Sequence, residues 1–328
     1  MGKGNEMKNN FWSHRTVLVT GITGFVGSSL AQRLVALNAR VIGLIRDEVI
    51  ESDFTRLGLA EEITVVRGEL EDYAKLERVL NEYQVETVYH LGAQTIVGTA
   101  NRSPISTLNT NIRGTWNLLE ACRGKNTIQS IIVASSDKAY GTHKKLPYRE
   151  DFPLKPDNPY DVSKACADLI SQSYSKTYGL PVVVTRFANI YGPGDFNFSR
   201  IVPDTIRSVL HGKAPVIRSD GKPERDYLYV EDVVDLYLLL AEQIGKTKGE
   251  IFNAGHNKPV SVLDLVKMII SLAGGKNLKP VIQGKGSLHG EIDKQWLDGA
   301  KVKKRLGWAP KVNLEEGLKK TIEWHRGL

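Results

Sequence analysis

Short apolar runs alternate with stretches of helical period through the first half of the chain. Thr16–Thr20 (TVLVT), Arg40–Ile45 (RVIGLI), Ile63–Arg67, Thr87–Leu91 (TVYHL) and Ser130–Ala134 (SIIVA) read as strands. Nearly continuous apolar runs of this length fit strands covered on both faces. Between them, Gly27–Asn38 reads as a helix, with Leu30, Leu34 and Leu37 at helical spacing, and further helices are expected over Tyr73–Tyr83 and Pro104–Cys122. The alternation predicts βαβ units. The expected fold class is α/β, a Rossmann-like doubly wound parallel sheet with helices on both faces.

The second half changes character. Pro159–Gly179 reads as a long helix and Pro181–Arg186 (PVVVTR) as a sixth strand. Beyond it Gly, Pro and Asp become frequent and the elements shorten, with helical pattern left at Asp232–Glu242, Val262–Leu272 and Asn313–Trp324. No linker separates the halves. The expected organisation is a first domain over residues 13–190, with 228–256 returning to it, and a smaller, interwoven C-terminal α+β domain over 191–328.

Composition narrows the class without naming it. The 328 residues are 41% hydrophobic and 25% charged, ordinary globular values that exclude a disordered chain. Lys plus Arg exceeds Asp plus Glu by seven, and the basic residues are scattered among acids without an aromatic-basic stripe. That favours an anionic small ligand over nucleic acid. The two cysteines, Cys122 and Cys166, form no CxxC or Cys/His cluster, so neither a disulfide framework nor a metal site is expected. Thr16–Gln32, without a charge, is too short and too broken by glycines to span a bilayer, and the N-terminus lacks an apolar signal core. A cytoplasmic protein that meets no membrane is the expectation.

Candidate chemistry begins at Thr20-Gly21-Ile22-Thr23-Gly24-Phe25-Val26-Gly27, which follows a strand and opens a helix. One glycine permits the tight turn, another lets the backbone approach a pyrophosphate, and the third lets helix and strand pack closely. The helix N-terminus then offers N–H groups and a positive dipole end to phosphates. Gly21, Thr23, Gly24, Phe25, Val26 and Gly27 are the candidate cofactor contacts. The second strand ends in Arg46-Asp47. Arg46 suits the 2′-phosphate of NADP and Asp47 the ribose hydroxyls of NAD, with the balance slightly toward NADP.

Tyr160 and Lys164 form a YxxxK on the long helix, four residues apart and so on one face. A nearby lysine can lower the tyrosine's pKa and make it a base toward a sugar hydroxyl. Upstream, the fifth strand ends in Ser135-Ser136-Asp137-Lys138. With GxxGxxG spacing, strand-end serine and YxxxK in this order, the chain resembles the extended short-chain dehydrogenase/reductases. That resemblance implies that Glu69 and Leu70 lie beside adenine, that Leu91 and Ala93 line the cofactor's central portion, and that Phe187 lies by the nicotinamide.

Asp137 and Lys138 extend the resemblance to the nucleotide-sugar 4,6-dehydratases. Their reaction oxidises C4, eliminates water across C5 and C6, and returns the hydride to C6. The implied catalytic residues are Ser136 and Tyr160 at the 4-hydroxyl, Lys164, Asp137 as the acid for the leaving C6 hydroxyl, and Lys138 as the C5 base. Lys138 must be neutral for that role. The implied cofactor is NADP or NAD, tightly bound and regenerated in each cycle. Residues 191–328 become the nucleotide-sugar domain. Gln94 and Thr95 would sit beside the sugar, Asn189 and Arg225 on the diphosphate, Arg200, Ile201 and Arg218 along the base and ribose, and Glu291 on ribose hydroxyls. Lys at position 138 resembles two subgroups, acting on UDP-N-acetylglucosamine and on CDP-glucose, and the first is preferred. A 4-epimerase and a dinucleotide-sensing binding protein are the alternatives. Pairing through Pro104–Cys122 and Pro159–Gly179 would give a homodimer or a higher homo-oligomer.

Overall fold

The computed structural model describes residues 11–286 and 292–328. Its main sheet is built from β1 (Thr16–Thr20), β2 (Arg40–Ile45), β3 (Thr64–Arg67), β4 (Thr87–His90), β5 (Ser130–Ala134), β6 (Val182–Phe187) and the strand Ile251–Ala254. The seven lie in the order Ile251–Ala254, β6, β5, β4, β1, β2, β3. Every pairing from β3 across to β6 is parallel. The expected α/β, doubly wound architecture is therefore present. The chain runs outward from β1 to β3 and then crosses back, so that β4 pairs with the other side of β1. Strand order reverses there, and in such sheets the ligand crevice opens beyond the C-terminal strand ends at the reversal.

Both sheet faces are covered, which is why the strands read as apolar runs. Leu18, Ile42, Val88, Ile131, Val133, Val182 and Val184 form one cluster with Leu76, Val79 and Leu80 from the helix Tyr73–Glu82 and Leu118, Leu119 and Cys122 from Gly114–Cys122. Outside this cluster, α1 (Phe25–Ala36) packs on β1 and β2 and buries Leu30, Ala31 and Leu34.

Several element ends move for identifiable reasons. α1 starts at Phe25 rather than Gly27, because Gly24 in extended conformation already serves as its N-cap. The long helix α2 (Pro159–Tyr178) stops before Gly179, whose φ of +71° makes it a left-handed cap. The terminal helix runs Leu314–Arg326, with the Asn313 side chain outside it accepting the Glu316 N–H at 3.0 Å. Pro104–Cys122 is helical throughout but not uniform: Pro104–Leu108 and Gly114–Cys122 are α-helical, and Asn109–Arg113 between them is a π turn. Such turns frequently occur at functional sites.

The chain forms two compact units. The first takes the chain through Ala139, Asn158–Arg186 and Val234–Phe252; the second takes Tyr140–Asp157, Phe187–Val233 and Asn253–Leu328. The second unit has its own core, in which Tyr191, Val202, Ile206, Tyr227, Tyr229, Leu265, Ile269, Leu318 and Ile322 pack together. Its strands are short. Asn189–Tyr191 pairs in parallel with Tyr227–Tyr229, and Glu224–Arg225 lies between Val260–Ser261 and Lys294–Gln295.

Candidate functional site

The glycine turn is held by contacts that no larger residue could make. Gly21 has φ +71°, and a Cβ there would stand 2.7 Å from the backbone of Gly92. A Cβ on Gly27 would stand 2.1 Å from the Gly21 carbonyl oxygen. The first and third glycines thus bring the loop after β4 and the first turn of α1 against the turn. Gly24 differs: it is exposed, its φ is −78°, and its nearest neighbour to an added Cβ is 3.2 Å away. Protein packing explains a glycine at 24 weakly; close approach of a ligand explains it better. No side chain caps α1. These features fit a dinucleotide pyrophosphate, held by the backbone of residues 24–27 at a positive helix end. Thr23, Phe25 and Val26 are half-buried around it.

The neighbouring strand ends supply the other candidates. After β2, Arg46 Nε donates to Asp47 Oδ2 at 2.6 Å, and both side chains are exposed. The two cofactor-selecting candidates are therefore paired with each other. After β3, Leu70 is buried and Glu69 exposed. Asn117 Nδ2 fixes this loop by donating to the Leu70 and Glu71 carbonyls at 3.2 and 2.9 Å. After β4, the Leu91 N–H donates to the Thr20 carbonyl at 3.2 Å, and Leu91 and Ala93 are half-buried.

Tyr160 and Lys164 lie in the first turns of α2 with their side chains buried, Lys164 at 6% exposure. The Lys164 ammonium donates to the main-chain carbonyl of Ala134, the last residue of β5. Burial lowers its pKa to about 8, against the pull of Asp168 one turn further on. Asp168 is itself in a buried ion pair, accepting from Arg186 Nε at 2.7 Å and Arg186 Nη2 at 2.9 Å. Just past β5, Ser136 Oγ donates to Asp137 Oδ1 and accepts the Lys138 N–H, both at 3.2 Å. Asp137 is buried and Lys138 half-buried in the 3-10 turn Asp137–Tyr140. One strand end thus carries Ser136, Asp137 and Lys138 and also anchors Lys164.

Asn111 and Ser163, which link two parts of the candidate site, escape the sequence reading. Asn111, in the π turn, uses its whole amide. Its Oδ1 accepts the Gln94 N–H at 2.8 Å, while its Nδ2 donates to the Gln94 carbonyl at 3.0 Å and to Ser163 Oγ at 2.8 Å. Ser163 Oγ in turn donates to the Tyr160 carbonyl at 2.7 Å. Asn111 therefore ties the loop after β4 to the helix turn bearing the YxxxK pair. The available signal was Asn111 and Thr115, two polar residues four apart on a face that otherwise reads as apolar. Gln94, expected beside a sugar, has its amide engaged locally, accepting from the Ile96 N–H at 2.5 Å and donating to Thr107 Oγ1 at 3.1 Å. Thr95 is exposed.

The remaining candidates belong to the second unit. Asn189 Nδ2 donates to the Asp226 carbonyl at 3.3 Å. Arg225 is buried, with Nη1 donating to the carbonyls of Glu224 and Asp293 at 2.9 and 3.1 Å. The two are thus neighbours across one loop. Arg200 pairs with buried Asp195 at 3.1 Å, where burial pushes the Asp195 carboxyl up. Ile201 opens the helix Ile201–Leu210, and Arg218 is exposed beyond the strand Val216–Ile217. Phe187 is buried. Glu291 lies outside the described residues. No helix among the described residues is long and apolar enough to cross a membrane.

The family model described as GDP-mannose 4,6 dehydratase matches residues 18–321. The CDP-glucose 4,6-dehydratase of Salmonella typhimurium is 30% identical, over 97% of this chain and 92% of its own length. A trifunctional UDP-glucose 4,6-dehydratase/UDP-4-keto-6-deoxy-D-glucose 3,5-epimerase/UDP-4-keto-L-rhamnose-reductase of Arabidopsis thaliana is 31% identical over 97% of this chain, which spans only 48% of that relative. Among solved structures, a UDP-glucose 4-epimerase from Thermotoga maritima with UDP-glucose superposes with a TM-score of 0.87 at 33% identity, covering 95% of this chain and 99% of that one. The dTDP-glucose 4,6-dehydratase of Bacillus anthracis in complex with NAD gives 0.83 at 29%, covering 95% and 97%.

Proposed function

The chain belongs to the GDP-mannose 4,6-dehydratase family, extended short-chain dehydrogenase/reductases that are NAD(P)-carrying hydro-lyases of nucleotide sugars, and on that premise we propose that it is itself a nucleotide-sugar 4,6-dehydratase. The observation that carries this reading is the turn after β5, where Ser136, buried Asp137 and Lys138 are bonded to one another next to the carbonyl that holds Lys164. Oxidation and reduction at one carbon need only the serine, tyrosine and lysine. An acid and a base directly after the serine add what elimination requires.

Held by the glycine turn and the backbone of residues 24–27, NAD(P) would supply the redox chemistry, the reversible acceptance of hydride. The protein supplies the proton traffic. Tyr160 takes the proton of the 4-hydroxyl, with Ser136 orienting that hydroxyl and the Lys164 ammonium favouring the phenolate. The resulting 4-ketone acidifies C5–H. Lys138 removes that proton while Asp137 protonates the departing 6-hydroxyl, so one water leaves and C5–C6 becomes a double bond. Hydride addition at C6 leaves a C4–C5 enolate, and Lys138 returns its proton to C5, restoring the 4-ketone; the proton held by Tyr160 passes to solvent and solvent reprotonates Asp137, which resets both groups. The first unit serves the dinucleotide and the second the nucleotide sugar, with Asn189 and Arg225 on the diphosphate, where a guanidinium fork matches phosphate oxygens.

For the sugar nucleotide, CDP-glucose is the reading taken forward. Lys138 resembles the CDP-glucose and UDP-N-acetylglucosamine subgroups alike, and a CDP-glucose dehydratase is among the relatives. UDP-N-acetylglucosamine, preferred on sequence, is named by none of the relatives described above. The second reading is a 4-epimerase, favoured by the likeness to the Thermotoga maritima enzyme. Homodimer formation is supported by apolar side chains exposed on the helices expected to pair, Ile105, Trp116 and Leu169.

Incubation with CDP-glucose, UDP-glucose, UDP-N-acetylglucosamine, dTDP-glucose and GDP-mannose in turn, followed by mass spectrometry, tests the proposal. Loss of one water from CDP-glucose is expected. A product of unchanged mass with inverted C4 would establish the epimerase instead.

A further inference from the structure

At the point where strand order reverses, the last residues of β1 and β4 are joined by hydrogen bonds that can be assigned proton by proton. The Thr115 hydroxyl has a single proton and donates it to the Asn111 carbonyl at 2.6 Å. Toward His90 Nε2, 2.9 Å away, Thr115 can only accept, so Nε2 carries the ring proton. In a neutral ring Nδ1 is then a bare acceptor, and it receives the Thr20 hydroxyl at 2.9 Å. Thr20 Oγ1 itself accepts the Gly92 N–H at 3.0 Å. Every donor points the same way, from Gly92 through Thr20, His90 and Thr115 to Asn111. A second ring proton would face the Thr20 hydroxyl in place of the hydrogen it donates. His90 is buried, and burial together with the nearby Lys164 charge lowers its pKa to about 3.

This chain does not stop at Asn111, whose side chain grips both backbone groups of Gln94 and reaches Ser163, bonded to the Tyr160 carbonyl. We infer that His90 is a positioning residue: a neutral histidine, protonated at Nε2, that locks the end of the glycine-turn strand and the loop after β4 to the helix turn from which Asn111 holds the Tyr160–Lys164 helix. Its action is through the backbone of these segments. The inference rests on Tyr160 and Lys164 being the reacting pair of the proposed reaction and adds a residue that sets their place relative to the dinucleotide loop.

Two measurements on the full chain test it. Ring-nitrogen NMR of histidine-labelled protein, with the His90 signals identified by their loss in His90→Phe, should show a neutral ring protonated at Nε2. A proton on Nδ1, or an imidazolium at neutral pH, would overturn the inference. Thr115→Val keeps the side-chain shape but removes both the acceptor for His90 and the donor to the Asn111 carbonyl. It should lower kcat on the order of 10- to 100-fold, the scale of a small misplacement of reacting groups, with the KM for the nucleotide sugar unchanged. Thr115→Ser should restore kcat. A valine variant with unchanged kcat, or a loss carried by KM alone, would likewise overturn it. The ring spectrum needs no turnover, so a wild-type chain that dehydrates no nucleotide sugar would refute the proposed reaction while the histidine result is read independently.

Discussion

The Lys164 ammonium is bonded to the carbonyl of Ala134, so the helix bearing the YxxxK pair is fastened to the strand end that delivers Ser136, Asp137 and Lys138. Two stretches distant in sequence thus share one anchor, and the charge beside Tyr160 is held in a buried place.

That burial sets a pH dependence. The Lys164 pKa, lowered to about 8, means the ammonium is lost as pH rises through that value. Turnover that uses the cation should fall above about pH 8. The contribution of Lys164 to stability runs the other way. Between about 8 and its ordinary value of 10.5 the unfolded chain holds more protons on this group than the folded one, so this contribution rises with pH. A kcat–pH profile beside denaturant midpoints checks both. Lys164→Met should lower kcat by roughly 10²- to 10⁴-fold below about pH 8, where the wild type carries the cation, and by less above it.

Lys138→Met should abolish exchange of the C5 hydrogen with deuterated solvent, while the first oxidation at C4 persists as a burst of reduced cofactor absorbance. Asp137→Asn should leave C5 exchange and slow release of water. Both are read by NMR of the sugar. Unchanged C5 exchange in the methionine variant moves the base away from Lys138.

Gly27→Ala puts a methyl 2.1 Å from the Gly21 carbonyl oxygen, a backbone atom that cannot swing aside. The expected cost is about 1–3 kcal/mol, as for other overpacked sites. Bound dinucleotide should be lost as the turn opens. Thermal denaturation and the cofactor absorbance of purified protein measure the two effects.

Asp168→Asn breaks a buried pair in which Asp168 and Arg186 are 0% and 2% exposed. Removing one charge and leaving the other should destabilise the fold by about 3–5 kcal/mol, and Asp168→Leu combined with Arg186→Met should recover much of it. Because Asp168 raises the Lys164 pKa, its neutral variant should also shift the alkaline fall of kcat to lower pH.

Much of the first unit was legible because its signals are local. Apolar runs give strands covered on both faces, a glycine triplet gives the turn, and a spacing of four puts Tyr160 and Lys164 on one helix face. The end of Pro159–Tyr178 was displaced by only one residue from expectation, since a glycine cap is itself a local signal. The π turn at Asn109–Arg113 was not legible, because its residues fit an ordinary helix and its stabilisation comes from Gln94 and Ser163.

By itself the sequence determined the fold class, the glycine turn and the identity of the groups after β5. Tertiary structure alone decided how the polar residues at strand ends pair. Thr20, His90, Thr115 and Asn111 carry no pattern that joins them, and each could face water in an extended chain. Once β1 and β4 lie side by side, water is excluded, every buried donor needs an acceptor, and only one direction of the hydrogen-bond line satisfies them all. Sequence names the donors and acceptors; the packing that removes solvent makes their arrangement unique.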